Sequence, residues 1–149
     1  MSYSITKFGI PLDKSLYTID EKTKTFSSNE WRLVLDFINE TGWTFKTDSN
    51  CTFNTGSCCT FNTGYNCTFK TGRDCTFKTD SDCTFDTDSD CTFNTGSDCT
   101  FDTFHNCTFN TGSDCVVVRR DRYEVIELKE GIKIKLNNFN IKGYTVIPN

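Results

Sequence analysis

The chain has 149 residues, 36% hydrophobic and 24% charged, with 16 Lys+Arg against 20 Asp+Glu and a net charge of −4. That length allows one domain with a modest core, and so mild a charge points neither to nucleic acid nor to a membrane surface as partner. No apolar run approaches the ~20 residues of a transmembrane helix, and the opening "MSYSITKFGI" lacks the basic and apolar regions of a secretory signal, so an intracellular protein is expected.

In chain order, the first segment, residues 1–42, reads as an N-terminal cap. "LYTIDEKTKTF" looks like a hairpin. "SSNEWRLVLDFINETG" predicts a helix: Ser27 and Glu30 are spaced as a capping box, Trp31, Val34, Leu35 and Ile38 recur at helical spacing, and Gly42 is a stop. Such a helix would cover one open end of whatever follows.

Residues 43–114 carry an octapeptide repeated without a slip, of the form C-T-F-x-T-G-S-D. First positions fall at Cys51, Cys59, Cys67, Cys75, Cys83, Cys91, Cys99, Cys107 and Cys115, and an earlier copy begins at Trp43. A short fixed period means a solenoid. Positions one to five are β-formers and positions six to eight are corner residues. Because side chains alternate along a strand, positions one, three and five point inward together. The predicted core is therefore Phe45, Phe53, Phe61, Phe69, Phe77, Phe85, Phe93, Phe101 and Phe109 with the first-position cysteines. Gly at position six is expected to supply a positive φ, and Asp or Asn at position eight to hydrogen-bond the corner. Facing sheets pack ~10 Å apart and each strand residue advances ~3.3 Å, so eight residues scarcely encircle a core. Two octapeptides per coil fit better than one. The fold class is thus all-β, an octapeptide-repeat β-solenoid.

The final segment, residues 115–149, departs from the motif and alternates near 123–128 and 132–136. It reads as a C-terminal β cap, because solenoid ends need atypical units to stop edge-to-edge growth. The caps are also where a homodimer could form. Charge is uneven: residues 43–114 hold ten acids and four bases, residues 115–149 four acids and seven bases.

The tandem "CTFNTGSDCTF", closing on a "CVVVRRDxYEVIEL"-like tail, resembles uncharacterised octapeptide-repeat proteins met mainly in large DNA viruses of protists. The resemblance spans roughly residues 43–128. It implies a β-solenoid in a viral or host-cell setting, and it implies no activity.

Ten cysteines invite disulfides or metal. Position one faces position five across the core rather than another cysteine. Stacked copies would lie ~4.8 Å apart, against the ~3.8 Å between Cβ atoms that a disulfide wants. Free buried thiols are expected. A period of eight matches no zinc-ligand spacing, and His105 is the single histidine. "TDSDCTFDTDSD" raises calcium at the corners, yet Asp is an ordinary corner residue. Ice binding wants two outward Thr columns, and here only position two qualifies. An acidic exterior can mimic nucleic acid, but it is first a source of solubility. Arg119, Arg120 and Arg122 form a basic cluster, read as edge protection or as a docking patch for an acidic partner. No nucleophile–base pair and no phosphate loop stand out, so no catalytic residue and no cofactor are assigned. The expected role is a non-enzymatic scaffold. The alternative is a binding module that holds a protein or calcium through its acidic faces or the Arg cluster.

Overall fold

The computed structural model describes residues 3–148. Each octapeptide forms a short strand and a corner, and successive strands fall alternately on two facing sheets. One sheet, here sheet A, contains in its parallel part β5 (Leu33–Phe37), β7 (Thr52–Thr55), β9 (Thr68–Lys70), β11 (Thr84–Asp86), β13 (Thr100–Thr103) and β15 (Cys115–Arg119). Sheet B contains β4 (Thr25–Ser27), β6 (Thr44–Lys46), β8 (Thr60–Asn62), β10 (Thr76–Lys78), β12 (Thr92–Asn94) and β14 (Thr108–Asn110). Register runs from each unit to the second unit after it: Phe69 opposes Phe85 in sheet A and Phe61 opposes Phe77 in sheet B. Two octapeptides therefore close one coil, and the molecule is a β-solenoid of six coils.

Alternation puts positions one, three and five inside, as expected. The nine repeat Phe rings are at most 2% exposed. Within a sheet they stack nearly parallel, with Phe69 and Phe85 centroids 4.9 Å apart at 3°. Between sheets they meet edge to face, as with Phe77 and Phe85 at 5.1 Å and 78°. Both are favoured aromatic geometries, and each pair adds about 0.5–1.5 kcal/mol beyond burial. The buried Thr at position five would cost free energy unpaired. In seven of the nine units its hydroxyl donates to the next carbonyl, as Thr55 does to Gly56 O at 3.2 Å and Thr111 to Gly112 O at 3.1 Å, while the Thr63 and Thr103 hydroxyls have no such partner.

The corner corrects one expectation. The left-handed residue is position eight: Asn50, Cys58, Asn66, Asp74, Asp82, Asp90, Asp98, Asn106 and Asp114 all have φ between 57° and 63°. Asn and Asp tolerate that region best among residues with a Cβ. The repeat glycines have no positive φ, and close approach demands them instead. A Cβ on Gly64 would lie 2.2 Å from Ser49 Oγ, one coil earlier.

The predicted helix is absent. Residues 24–32 and 33–42 are two further coil segments that fit the octapeptide poorly, because their corners are longer. Phe26 opposes Phe45, and Leu35 opposes Phe53. Leu33, Leu35 and Phe37 are fully buried, whereas Trp31, Val34 and Ile38, three of the four residues of the predicted helical face, are 43–48% exposed. A period-two pattern lying against a ready parallel strand outweighs the helical spacing.

The ends are antiparallel. At the N-terminus β1 (Ser4–Lys7) pairs with β5 and with β2 (Ile10–Pro11), and β3 (Thr18–Asp20) pairs with β4 as the expected hairpin. A 3-10 turn spans Lys14–Leu16. Tyr3 stacks on Phe37 at 4.6 Å and Tyr17 lies against Phe26 at 5.5 Å, closing that end of the core. At the C-terminus β16 (Glu124–Leu128) pairs with β15, and β17 (Ile134–Leu136) pairs with β14. The first two match the strands expected near 123–128 and 132–136. A third, β18 (Tyr144–Val146), follows β17 in sheet B and was not foreseen.

Candidate functional surfaces

Inward positions make the core, so any function at the repeats rests on positions two, four and six to eight. Position two gives each sheet an outward Thr column: Thr52, Thr68, Thr84 and Thr100 in sheet A, and Thr44, Thr60, Thr76, Thr92 and Thr108 in sheet B. Position four separates the two faces. In sheet A it carries Asp36, Asn54, Lys70, Asp86 and Asp102, and in sheet B Lys46, Asn62, Lys78, Asn94 and Asn110. Most of the repeat's acids therefore lie on the corners and on sheet A. The outer face of sheet B has lysines and no carboxylate at positions two and four.

The corners are internally satisfied. At position seven the backbone N–H has two alternative acceptors. At Gly64, Gly72, Gly96 and Gly112 a Ser one coil earlier accepts it: Tyr65 N donates to Ser49 Oγ at 3.1 Å, Arg73 N to Ser57 Oγ at 3.1 Å, Ser97 N to Ser81 Oγ at 3.0 Å and Ser113 N to Ser97 Oγ at 3.0 Å, whereas Gly56 lies against Glu40 and Thr41 instead. Where position six is Asp, its own carboxylate accepts. Ser49, Ser81 and Ser89 N–H groups donate to Asp48, Asp80 and Asp88 at 2.8–2.9 Å. Fifteen residues before Asp80 and Asp88 stand Tyr65 and Arg73, which offer no such hydroxyl. The corner carboxylates are spaced along the ridges. Among the described residues, no three His, Cys, Asp or Glu side chains converge to hold a metal ion.

The cysteines form two buried columns: Cys51, Cys67, Cys83, Cys99 and Cys115 in sheet A, and Cys59, Cys75, Cys91 and Cys107 in sheet B. All are free thiols, and only Cys58, at a corner, is exposed. Each column has bonds between its own cysteines: Cys67 N donates to Cys83 Sγ at 3.4 Å in sheet A, and Cys91 N donates to Cys107 Sγ at 3.5 Å in sheet B. Hydrogen bonding to the preceding cysteine, together with burial, pushes the Cys67 and Cys83 thiols up to about 11. Such thiols stay protonated and behave as small apolar packing.

The three arginines of the expected cluster do different things. Arg119 is no docking residue. It occupies position five of the last repeat strand, points inward and is fully buried. Its Nε meets Asp121 at 2.9 Å, its Nη1 lies 3.7 Å from Glu124, and it donates to the carbonyls of Asn138, Ile141 and Gly143. Counting the octapeptide through Cys115 would have placed it inside; its charge argued against that reading. Arg120 lies on the sheet A face between Asp102 at 2.8 Å and Asp86 at 3.1 Å, over the Phe104 ring at 4.7 Å. Of the three, only Arg122 is exposed over the residue as a whole.

The other feature missed from sequence lies at the C-terminal end. Side chains of β16, β17 and β18 border an apolar groove there that includes Leu128, Ile132, Ile134, Tyr144 and Val146.

No family model, no curated protein and no solved structure matches the chain. Among the described residues, no helix is long and apolar enough to cross a membrane.

Proposed function

We propose that this chain is a non-enzymatic structural protein, a short rigid rod that holds its ends and faces at fixed separations. The observation that carries this reading is the use of the repeat itself. Positions one, three and five fill one continuous core, and corner groups of positions six and seven pair with one another, from coil to coil at Tyr65 and Ser49 and within one corner at Ser81 and Asp80. Little of the motif is left over for chemistry. The setting implied by the octapeptide resemblance is the interior of an infected protist cell or the virus particle. No nucleic acid, membrane or cofactor is needed for such a role.

A second reading keeps the rod and adds a partner held by its acidic ridge. Asp82, Asp98 and Asp114 occupy position eight in three successive coils, so like charges stand one above another. Replacing the three with Asn separates the readings. Asn50 and Asn66 already hold the same left-handed geometry, so the fold should survive. Affinity purification from the native cell would then compare the partners held by the two proteins. Unchanged partners support the structural role, and partners lost from a folded variant place the function on the ridge. Turnover of any substrate by the pure protein would overturn both.

A further inference from the structure

We propose that two copies of this chain join end to end through their C-terminal caps, each inserting its β18 beside the other's β16. The six coils end level, on β14 in sheet B and β15 in sheet A. Beyond them sheet A adds one strand, β16, while sheet B adds two, β17 and β18. Sheet B therefore overhangs by one strand, and among the described residues no strand of sheet A stands opposite β18. The cost shows in the side chains. Val146 opposes Ile134 and Tyr144 opposes Leu136, so both point to the core side. Ile134 and Leu136 are buried, yet Tyr144 is 47% and Val146 55% exposed.

A twofold axis along the strands, midway between the sheets, exchanges sheet A of one copy for sheet B of the other. It sets each overhanging β18 beside the other copy's β16, and both steps close at once. Strand direction is preserved by this rotation, so β16 and the second copy's β18 run parallel. Inward sides stay inward, and Ile126 and Leu128 meet Tyr144 and Val146 of the other copy. Charges agree with this pairing. β18 carries none, so Glu124 and Glu127 of β16 face no like charge, whereas joining β16 to itself would gather four carboxylates. On the outer face Glu127 flanks Thr145 of the other copy, with Lys135 of that copy on the far side, an opposite charge two strands away. An isologous contact of this kind closes on itself.

At the N-terminal end sheet A overhangs in turn, by β2, where Ile10 is 67% exposed, but this cap is the poorer joint. Tyr3 and Tyr17 already cover its core, and Pro11 removes a donor from β2, a usual means of blunting an edge.

Light scattering on the full chain across a roughly hundredfold concentration range should give twice the 17.0 kDa monomer mass. Val146→Glu, at an exposed edge position, should keep the β circular-dichroism spectrum and weaken the dimer at least about tenfold. Ile10→Glu, on the other cap, should leave the dimer intact. In a Cys58→Ser background, a spin label at Thr145→Cys of the otherwise unaltered cap should give one narrow inter-copy distance. A monomer at all concentrations, a dimer indifferent to Val146→Glu, loss of the dimer in Ile10→Glu, open-ended oligomers, or an absent or broad inter-copy distance would each overturn the arrangement. A strictly monomeric rod would defeat the dimer and leave the structural role standing.

Discussion

At the scale of single residues, the repeat is held by an exchange between neighbouring coils. Ser at position seven lends its hydroxyl to the backbone of the next coil, and that hydroxyl occupies the space a Cβ at position six would need. Gly at six and Ser at seven one coil earlier are thus one device, and Asp at six is its substitute. Phe104 marks the limit of the rule: it stands fifteen residues after Ser89, whose hydroxyl turns aside to Asp90 at 2.8 Å. Gly64→Ala should cost about 1–3 kcal/mol by overpacking against Ser49. In a Ser49→Ala background the same change should cost at least about 1 kcal/mol less, since contacts within a pair are not additive. Denaturant unfolding of the four proteins of the cycle measures this. Strict additivity would mean that the hydroxyl is not what excludes the Cβ. Sequence showed that Gly and Ser belong at the corner. It could not show that they act across sixteen residues, because that neighbour exists only once the coil closes.

At the scale of elements, the coil strands were legible and the caps only partly so. Eight-residue spacing, inward Phe and inward Cys follow from the period alone, and the paired-octapeptide coil follows from the thickness of a Phe core. The helix over 27–42 failed because Leu33, Leu35 and Phe37 are spaced by two and Trp31, Val34, Leu35 and Ile38 by three and four within the same residues. Only the neighbouring strand decides between the two patterns. Arg119 was misjudged by its charge and not by its position. It ties β15 to the β17–β18 connection through three carbonyls and to Asp121. Burial works to raise the Asp121 pKa, but the hydrogen bond and charge of Arg119 outweigh it and hold the carboxyl below its usual range. A carboxyl whose pKa is depressed in the folded state stabilises above its unfolded value of about 4, and that contribution is lost as pH falls through the folded value. Asp121→Asn should therefore cost about 3 kcal/mol at neutral pH, the low end for breaking a buried pair because Glu124 remains nearby. The difference from wild type should shrink progressively below about pH 4, read by denaturant midpoints across the acid range. A difference independent of pH would show that packing, not charge, carries the effect.

At the scale of the whole molecule, consecutive octapeptides lie on opposite sheets and alternate ones share a sheet. Thr60 and Thr92 are four octapeptides apart, yet both point outward from sheet B with one strand between them. Thr84 is only three octapeptides from Thr60, yet it points outward from sheet A. Spin labels placed on these pairs in a Cys58→Ser background, where the remaining thiols are buried, measure the arrangement directly. Two strand spacings put the Thr60–Thr92 backbones about 10 Å apart, while labels at Thr60 and Thr84 extend from opposite faces of two sheets already ~10 Å apart. The pair farther apart in sequence should thus be the closer in space. If one octapeptide closed each coil, the order would reverse, with about 14 Å for Thr60–Thr84 and about 19 Å for Thr60–Thr92, and the two-sheet Phe core described above would be wrong.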